Sequence, residues 1–346
     1  MSTKGKITSL DIAHRAGVSQ STVSRALRGS TLVSEETRQR VRQAARELHY
    51  KVDKNASNLR TQHSGTLALL LFEDPTADES HINPFFLAML GSITRACAQR
   101  GYDLLVSFQQ LSDDWHSDYA DTRKADGIIL LGYGDYVAWR DKLDTLIEQG
   151  THFVRWGAVL DGQPGVSIGC DNFQGGFDVT RHLLAQGCRR IAFLGEATEH
   201  YPEFLDRYHG HCAALRDADL QADRSLLEAA ESTRQSGYDA MQALLSRKAS
   251  FDAVFAASDL IAVGAMHALA DHGLAVPKDV AVAGFDDIPL ASFVHPPLTT
   301  AHQDTSSAGA MLVDRLLAQV AGETTENIKL PAKLMIRASS LRNPNR

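Results

Sequence analysis

The sequence predicts a mixed α/β protein with a small all-α domain at its N-terminus. Three features support this: apolar residues recur at helical spacing near the N-terminus, the charge changes sign after residue 64, and short apolar strands then alternate with helical segments. The chain has 346 residues, of which 44% are hydrophobic and 22% are charged. This length exceeds what one small core needs, so we expect two or three domains.

The N-terminal domain is predicted to hold three short helices. Thr8 can cap the first helix together with Asp11, and Gly17 suits the left-handed residue that ends it. Ser19 can cap the second helix, and the third begins near Ser34. The apolar stripes are Leu10, Ile12, Ala13 and Ala16 in the first helix, Val23, Ala26 and Leu27 in the second, and Val41, Ala44, Ala45 and Leu48 in the third. Two short helices joined by a tight glycine turn predict a helix-turn-helix.

The second helix carries the segment "GVSQSTVSRAL", whose short polar residues are middling helix formers. Side chains at the start of such a helix can contact base edges in the major groove of DNA. The alternative is a small helical cap without a role in DNA binding. Charge favours the first interpretation, because residues 1–64 hold 12 Lys and Arg against 5 Asp and Glu, a net charge of +7, whereas residues 65–346 carry −14.

Beyond residue 64, apolar strands alternate with helical segments, a pattern typical of parallel sheets covered by helices on both faces. The strands are "TLALLLFE", "YDLLVSF", "GIILLG", "HFVRWG", "RIAFLG", "AVFAAS" and "VAVAGFDD". Ligands of such folds gather at the carboxyl ends of the strands. An acid, an arginine, an amide and aromatic rings at those ends could bind a polyhydroxylated molecule. The residues at those ends are Asn83, Phe85, Trp156, Cys170, Asp171, Arg207, Asp259, Asp286 and Asp287.

Individual candidates also have structural interpretations. Asp171 could be a helix cap, Phe85 could be a core residue, and Asp286 could cap the turn after its strand.

Three alternatives to a DNA-binding, ligand-binding protein fit the sequence less well: a nicotinamide-dependent enzyme, a zinc-binding protein and a transport-type sugar-binding protein. A nicotinamide-dependent enzyme needs a complete G-x-G-x-x-G, but the segment with Gly132 and Gly134 continues to Val137 where the third glycine would stand. Zinc binding by "HYPEFLDRYHGHC" has poor spacing, since His209 and His211 are two residues apart, and we expect surface histidines there. A transport-type sugar-binding protein suits the α/β part, but the basic N-terminal domain and the lack of a signal peptide argue against it. We therefore expect no catalytic residues, no metal and no cofactor.

The order of several motifs along the chain resembles the lactose-repressor/galactose-repressor (LacI/GalR) family of transcription regulators. The motifs are "ITSLDIAHRAGVSQSTVSRAL", "VSEETRQRVRQAARELHY", "NPFF", "ADGIILLG", "CDNFQGG", "HLLAQGCRRIAFLG", "FDAVFAASDLIAVGAMHAL", "VAVAGFDD" and "PPLTTAHQD". The resemblance covers nearly the whole chain. It implies a homodimer that binds pseudo-palindromic double-stranded operator DNA and a sugar-type effector.

The resemblance also implies the domain organisation: a helix-turn-helix domain with a hinge helix over residues 1–62, and a two-lobed core over 63–346 that is similar to periplasmic sugar-binding proteins. It implies that Gln20, Ser21 and Arg25 contact bases. The full DNA-binding set is Thr8, Ser19, Gln20, Ser21, Thr22, Ser24, Arg25, Asn58, Leu59 and Arg60. The effector-binding set is Asn83, Phe85, Trp156, Cys170, Arg207, Ser232, Asp259 and Asp286.

The hinge segment "KNASNLRTQ", residues 54–62, is too short to persist as an isolated helix in water. In the family this segment folds on the operator, and the matching leucine, Leu59, would wedge into the minor groove beside Arg60. Val52 and Asp53 stand where the family often has proline, and Asp53 can cap the helix instead. The alternative is a plain flexible linker.

Several departures from the family pattern leave the effector unidentified. The loop "EDPTADESHINPFF" is longer than usual, Ser258 replaces a common asparagine, and Arg155 precedes Trp156 where an acidic or apolar residue is frequent. Relief of repression by the effector is the default expectation, and corepression is the alternative. The chain ends without a leucine heptad that would join dimers into a tetramer. With no signal peptide, no apolar run long enough for a membrane and four dispersed cysteines, we expect a cytoplasmic protein with reduced thiols.

Overall fold

The computed structural model describes residues 7–27, 30–50, 63–72, 82–132 and 134–342. The chain divides into two compact units, Met1–Ser64 and Gly65–Arg346. The predicted fold class is confirmed: the described residues form a helical N-terminal unit and a larger unit with two mostly parallel sheets.

The N-terminal unit contains helices α1 (Ser9–Ala16), α2 (Gln20–Leu27) and α3 (Glu35–Glu47). The predicted start of α1 is confirmed, because the Thr8 backbone N–H donates to Asp11 Oδ2 at 2.7 Å. Gly17 ends the helix at φ +66° and ψ +39°, a left-handed conformation that glycine adopts without a steric penalty. A tight turn therefore leads directly into α2.

The core of this unit is small and centres on Ile12, Val23 and Val41, each fully buried. The prediction that Leu10 joins the core was wrong, because its side chain is 62% exposed. At 100° per residue, Leu10 lies more than a quarter turn from the middle of the face formed by Ile12, Ala13 and Ala16. Helical spacing therefore identified the right face but assigned one residue too many to it.

The larger unit begins with a lobe built on a six-stranded parallel sheet. Its strands are β1 (Thr66–Leu71), β2 (Asp103–Phe108), β3 (Gly127–Leu131), β4 (Phe153–Trp156), β5 (Val166–Cys170) and β11 (Ile328–Leu330). Their order in the sheet is β11-β5-β4-β3-β1-β2. Its helices are α4 (Pro84–Gln99), α5 (Tyr136–Glu148) and α10 (Thr305–Val320). A π-helical segment, His116–Asp121, precedes β3.

The second lobe is built on another sheet. Its strands are β6 (Ile191–Leu194), β7 (Leu227–Glu228), β8 (Ala253–Ala256), β9 (Ala281–Asp286), β10 (Thr299–His302) and β12 (Lys333–Met335). Their order is β12-β10-β9-β8-β6-β7, and all pairs are parallel except that of the antiparallel β12. Its helices are α6 (Asn172–Ala185), α7 (Pro202–Asp217), α8 (Arg234–Ser246) and α9 (Asp259–Asp271).

The chain passes between the lobes three times, after β5, between β10 and α10, and between β11 and β12. All seven strands predicted from the sequence are present. Strands β5, β7, β10, β11 and β12 were missed, because they are short or carry glycine and polar residues. Among the described residues, no helix combines the length and apolar character that a membrane span requires.

Candidate DNA-binding face and interlobe site

The start of α2 is fixed by Ser19, whose hydroxyl accepts a hydrogen bond from the Thr22 backbone N–H at 3.2 Å. The same hydroxyl lies 2.9 Å from Ser21 Oγ and 2.8 Å from Thr22 Oγ1. Gln20 Nε2 donates to Ser9 Oγ at 2.8 Å, so its amide also contacts α1. These hydrogen bonds confirm the predicted cap and fix the first turn of the helix.

The exposed face of α2 carries the residues predicted to bind DNA. Gln20, Ser21 and Arg25 are exposed, while Val23 and Ala26 face the core on the opposite side. Thr8 and Ser19 are also exposed, and Thr22 and Ser24 are partly exposed. The Arg25 side chain forms no hydrogen bond or ion pair with any residue in the described part of the chain, whereas Arg15 pairs with Glu47 at 2.8 Å. The Arg25 guanidinium is therefore available to an external acceptor. Asn58, Leu59 and Arg60 lie outside the described residues.

In the second lobe, Arg207 and Asp286 form a buried ion pair. Arg207 lies in α7 and Asp286 ends β9, and their side chains are each 1% exposed, with Nη1 and Oδ1 3.6 Å apart. The Arg207 guanidinium also donates to Asn172 Oδ1 at 2.9 Å and to the Ala257 carbonyl at 2.5 Å. Burying two charges is costly, so the arrangement needs every one of these partners.

The Arg207 guanidinium also packs on aromatic rings. It lies 3.9 Å from the centroid of Phe285 and 5.2 Å from that of Phe204. These rings hold the flat guanidinium in one orientation beside Asp286.

Asp286 has a strained backbone, with φ at +113°. A non-glycine residue rarely adopts such a φ, and strain of this kind concentrates at functional sites. Gln303 Nε2 donates to Asp286 Oδ1 at 2.7 Å and holds the carboxylate in place. Gln303 and Asn172 were not predicted from the sequence, because they are distant in sequence from their partners or resemble ordinary helix-start residues.

Asp259 is fully buried at the start of α9, and both of its carboxylate oxygens have protein partners. Thr300 Oγ1 donates to Oδ1 at 2.5 Å, and the Ile288 backbone N–H donates to Oδ2 at 2.8 Å. Burial, and secondarily the charge of Asp286, raise the pKa of Asp259 well above its usual range. In this arrangement Asp259 ties the loop after β9 to α9.

Asn83 and Ser232 connect the two lobes directly. Asn83 caps α4, accepting from the Phe85 N–H at 3.0 Å, and its Nδ2 donates to Ser232 Oγ of the second lobe, also at 3.0 Å. Ser232 Oγ donates in turn to Ser258 Oγ at 2.8 Å. Asn83 and Phe85 were expected in a loop, but they lie at the start of α4, because Asn83 and the following proline begin a helix.

Of the remaining predicted site residues, Trp156 and Cys170 lie in strands of the first lobe. Trp156 and Cys170 end β4 and β5, and Phe85 packs with its ring centroid 6.0 Å from that of Trp156. Burial raises the pKa of the Cys170 thiol to about 12, while the nearby Arg207 opposes that change. The thiol is therefore neutral, and Cys170 is close to the Arg207–Asp286 pair. Asp171 caps α6, accepting from the Gln174 N–H at 3.1 Å.

The expectation of surface histidines in α7 was wrong for His211. Its side chain is buried among Phe193, Tyr208 and Phe255, and burial lowers its pKa to about 3. His209, two residues earlier, is exposed, because residues two apart lie on different faces of a helix. Within the described residues, no group of three or more metal-ligating side chains is present.

Comparisons with known proteins identify both units. Residues 8–53 match the model of the lacI family of bacterial regulatory proteins, and residues 180–340 match a periplasmic binding protein-like domain. The transcriptional regulator CelR of Thermobifida fusca is 33% identical over 95% of this chain and 96% of its own length. The chain belongs to the LacI family.

Solved structures agree with this LacI-family assignment. The chain is similar to a CelR–cellobiose complex, with a TM-score of 0.71 and 32% identity over 96% of this chain and 99% of that one. It is also similar to a lac repressor dimer bound to operator and the anti-inducer ONPF, with a TM-score of 0.82 and 26% identity over 97% and 99%. This LacI-family protein is a DNA-binding transcriptional regulator, and its relatives are regulators, not enzymes.

Proposed function

We propose that this regulator is a homodimeric repressor of sugar uptake or catabolism genes. It binds a pseudo-palindromic operator and responds to a sugar-type effector held between its lobes. Two copies related by a two-fold axis would place two α2 helices on two half-sites of such an operator. The similar lac repressor structure is a dimer bound to operator, which supports this assembly. We place the protein in the cytoplasm, where operator DNA is accessible.

The DNA-binding role is assigned to the exposed face of α2. Arg25 can form a bidentate contact with guanine, and Gln20 and Ser21 can bond base edges or phosphates. Thr8, Ser19, Thr22 and Ser24 flank them and are assigned to positioning contacts. Asn58, Leu59 and Arg60 keep the role proposed from the sequence, in which Leu59 wedges into the minor groove of the operator.

The effector role is assigned to the Arg207–Asp286 pair and its surroundings. The observation that carries this proposal concerns Asp286 at the carboxyl end of β9. Its backbone is strained, and its buried carboxylate lies 3.6 Å from the Arg207 guanidinium. A guanidinium only donates and a carboxylate only accepts, so together they can bind neighbouring hydroxyls of a sugar. Trp156 and Phe85 supply apolar faces, and Asn83, Ser232, Asp259 and Cys170 complete the site. The CelR relative, solved with cellobiose, is consistent with a sugar effector.

The proposed switch acts through the orientation of the two lobes. An effector that contacts both lobes favours one arrangement of them, and in a dimer that arrangement sets the spacing of the two hinge segments on the operator. We take release from DNA as the response, with corepression as the alternative. Which one operates depends on the lobe arrangement that the effector prefers.

A thermal-shift screen of the full chain tests the proposal. The panel holds hexoses, pentoses, disaccharides and aryl glycosides, with adenine and guanine as non-sugar controls. A ligand that binds only the folded protein raises its melting temperature, by an amount that grows with concentration above Kd. We expect at least one sugar to do so and to change operator affinity in a gel-shift titration at fixed salt. A shift with a purine base and with no sugar would contradict the assignment.

A further inference from the structure

A cavity lined by aromatic side chains lies at the carboxyl ends of β1, β3 and β4 in the first lobe. Its walls include Phe72, Tyr136, Trp139, Trp156, Arg155 and Glu203. Of these six, only Glu203 comes from the second lobe. The cavity has a volume of about 60 Å³, several times the space that one water molecule needs by this measure. Because the cavity spans both lobes, their separation would enlarge it.

Trp139, one of the aromatic residues that line the cavity, packs against two other aromatic rings. Trp139 stacks on Trp115 with ring centroids 5.3 Å apart and an interplanar angle of 14°, and Phe72 meets Trp139 edge-on, also at 5.3 Å. Lys142 Nζ lies 4.5 Å from the Trp139 ring on the same helix. Phe72, Tyr136 and Trp139 all line the cavity, and each is partly exposed.

The two glycines of the incomplete G-x-G motif lie against Phe72, one of the aromatic residues that line the cavity. A Cβ atom on Gly132 would lie 2.5 Å from the Cβ atom of Phe72, and one on Gly134 would lie 2.7 Å from the Phe72 ring. Gly132 also has φ at +146°. The two glycines therefore provide the space that the Phe72 ring occupies.

Two charged groups line the same cavity from opposite lobes. Arg155 is 8% exposed, and its guanidinium lies 4.7 Å from the centroid of the Tyr136 ring and donates to Ser167 Oγ at 2.5 Å. Glu203 is 9% exposed, and its Oε1 accepts from the Ala158 N–H at 2.8 Å, across the lobe boundary. A donor and an acceptor beside aromatic faces suit a ring that has an apolar face and polar edges.

Helix α7 joins this cavity to the proposed effector site. Glu203 and Arg207 are four residues apart in α7 and therefore lie one above the other on the same face. Arg207 extends to Asp286, whereas Glu203 lines the aromatic cavity. Glu203 and Arg207 are therefore separated by a rise of about 6 Å along α7.

We propose that the effector of this regulator is a glycoside of two rings, with one ring at Arg207 and Asp286 and the second against Tyr136 and Trp139. This inference rests on the proposed function, since it assumes that the effector binds between the lobes. The second ring is either a second sugar or an aromatic aglycone, and both share the flat apolar face that the cavity offers. Arg155 and Glu203 bond the hydroxyls of a sugar in that position.

The test compares ligands by calorimetric titration of the full chain. The probes are the hexoses glucose and galactose, their α- and β-linked disaccharides including cellobiose, and the matching p-nitrophenyl glycosides. We expect the best two-ring ligand to bind at least 10-fold more tightly than the monosaccharide that shares its non-reducing ring. Tighter binding of a disaccharide than of the aryl glycoside identifies the second ring as a sugar, and the reverse identifies it as an aromatic group.

Variants locate the second ring. Trp139→Ala should remove most of the preference for two rings and leave monosaccharide affinity unchanged, while Arg140→Ala, an exposed neighbour on the same helix, should retain the preference. Glu203→Gln keeps an acceptor for the Ala158 N–H and should weaken the disaccharide several-fold, so it provides a second measurement if Trp139→Ala folds poorly.

The outcomes separate this inference from the proposed function. Equal affinity for one-ring and two-ring ligands would overturn the inference and leave the sugar-binding proposal standing. If both Trp139→Ala and Glu203→Gln kept the full preference for two-ring ligands, the inference would also be overturned and the sugar-binding proposal would stand. Binding of no sugar at all would overturn both.

Discussion

On α2, Gln20, Ser21 and Arg25 face solvent, whereas Arg207 and Asp286 are enclosed by the second lobe and share several protein partners. The difference fits the two ligands proposed for these surfaces. Operator DNA is large and charged, so an exposed helix face with an available guanidinium is enough to meet it. A small uncharged molecule offers little area, so it requires donors and acceptors that are already oriented and dry. The two surfaces should therefore respond differently to substitution.

The largest expected effect is the loss of protein stability on changing the enclosed pair. Arg207→Ala leaves Asp286 as a buried carboxylate without its guanidinium, which should lower the free energy of unfolding by about 3 to 5 kcal/mol. Arg216→Ala, an exposed change on the same helix, should alter it by less than about 0.5 kcal/mol. Urea unfolding of both variants measures the difference. A loss in Arg207→Ala as small as that in Arg216→Ala would mean that the pair is not enclosed as described.

A substitution on the exposed face of α2 should instead change DNA binding and leave protein stability unchanged. Arg25→Ala should leave unfolding and effector affinity unchanged, because the Arg25 side chain forms no hydrogen bond or ion pair with any described residue. It should weaken discrimination between operator and non-operator DNA by about 1 to 3 kcal/mol, as expected for a lost bidentate contact to guanine. Gel-shift titrations of both DNAs at one salt concentration provide the measurement. Unchanged operator affinity would remove Arg25 from the base-contacting set.

A smaller effect is the pH dependence of stability that comes from His211, which is buried in the second lobe. The pKa of His211 is lowered to about 3 in the folded protein, so the unfolded chain takes up a proton near pH 6.5 that the folded chain does not. The stability contributed by neutral His211 is therefore fully present above pH 6.5 and is lost as the pH falls towards 3, with about 1 kcal/mol lost at pH 5.5.

Replacing His211 removes this dependence. Between pH 7.5 and 5.5, the melting temperature of His211→Phe should fall less than that of the unchanged protein, and His209→Phe, an exposed change nearby, should fall as much as the unchanged protein. Equal slopes for all three proteins would show that His211 is not buried in its neutral form.

The sequence predicted the helix-turn-helix more completely than the interlobe site, for a physical reason. Caps, glycine stops and helical spacing act within a few residues, so Thr8, Gly17 and Ser19 could be assigned from their neighbours alone. The partners of Arg207 lie on elements separated by long stretches of chain, and only the sheet order brings Asn172 and Ala257 to it. Glu203 resembles an ordinary first-turn acid, and no local pattern reveals that it crosses to Ala158 in the other lobe.

We propose above all that occupation of the interlobe site controls operator binding by the N-terminal unit. The most direct test measures operator affinity with and without the tightest sugar ligand, for the unchanged protein and for Asp286→Asn. This substitution keeps the shape of the side chain and an oxygen that can accept from Gln303 Nε2. We expect the ligand to change operator affinity of the unchanged protein at least 10-fold and that of Asp286→Asn little at the same concentration. An equal change in both proteins, or ligand binding without any change in operator affinity, would contradict the claim.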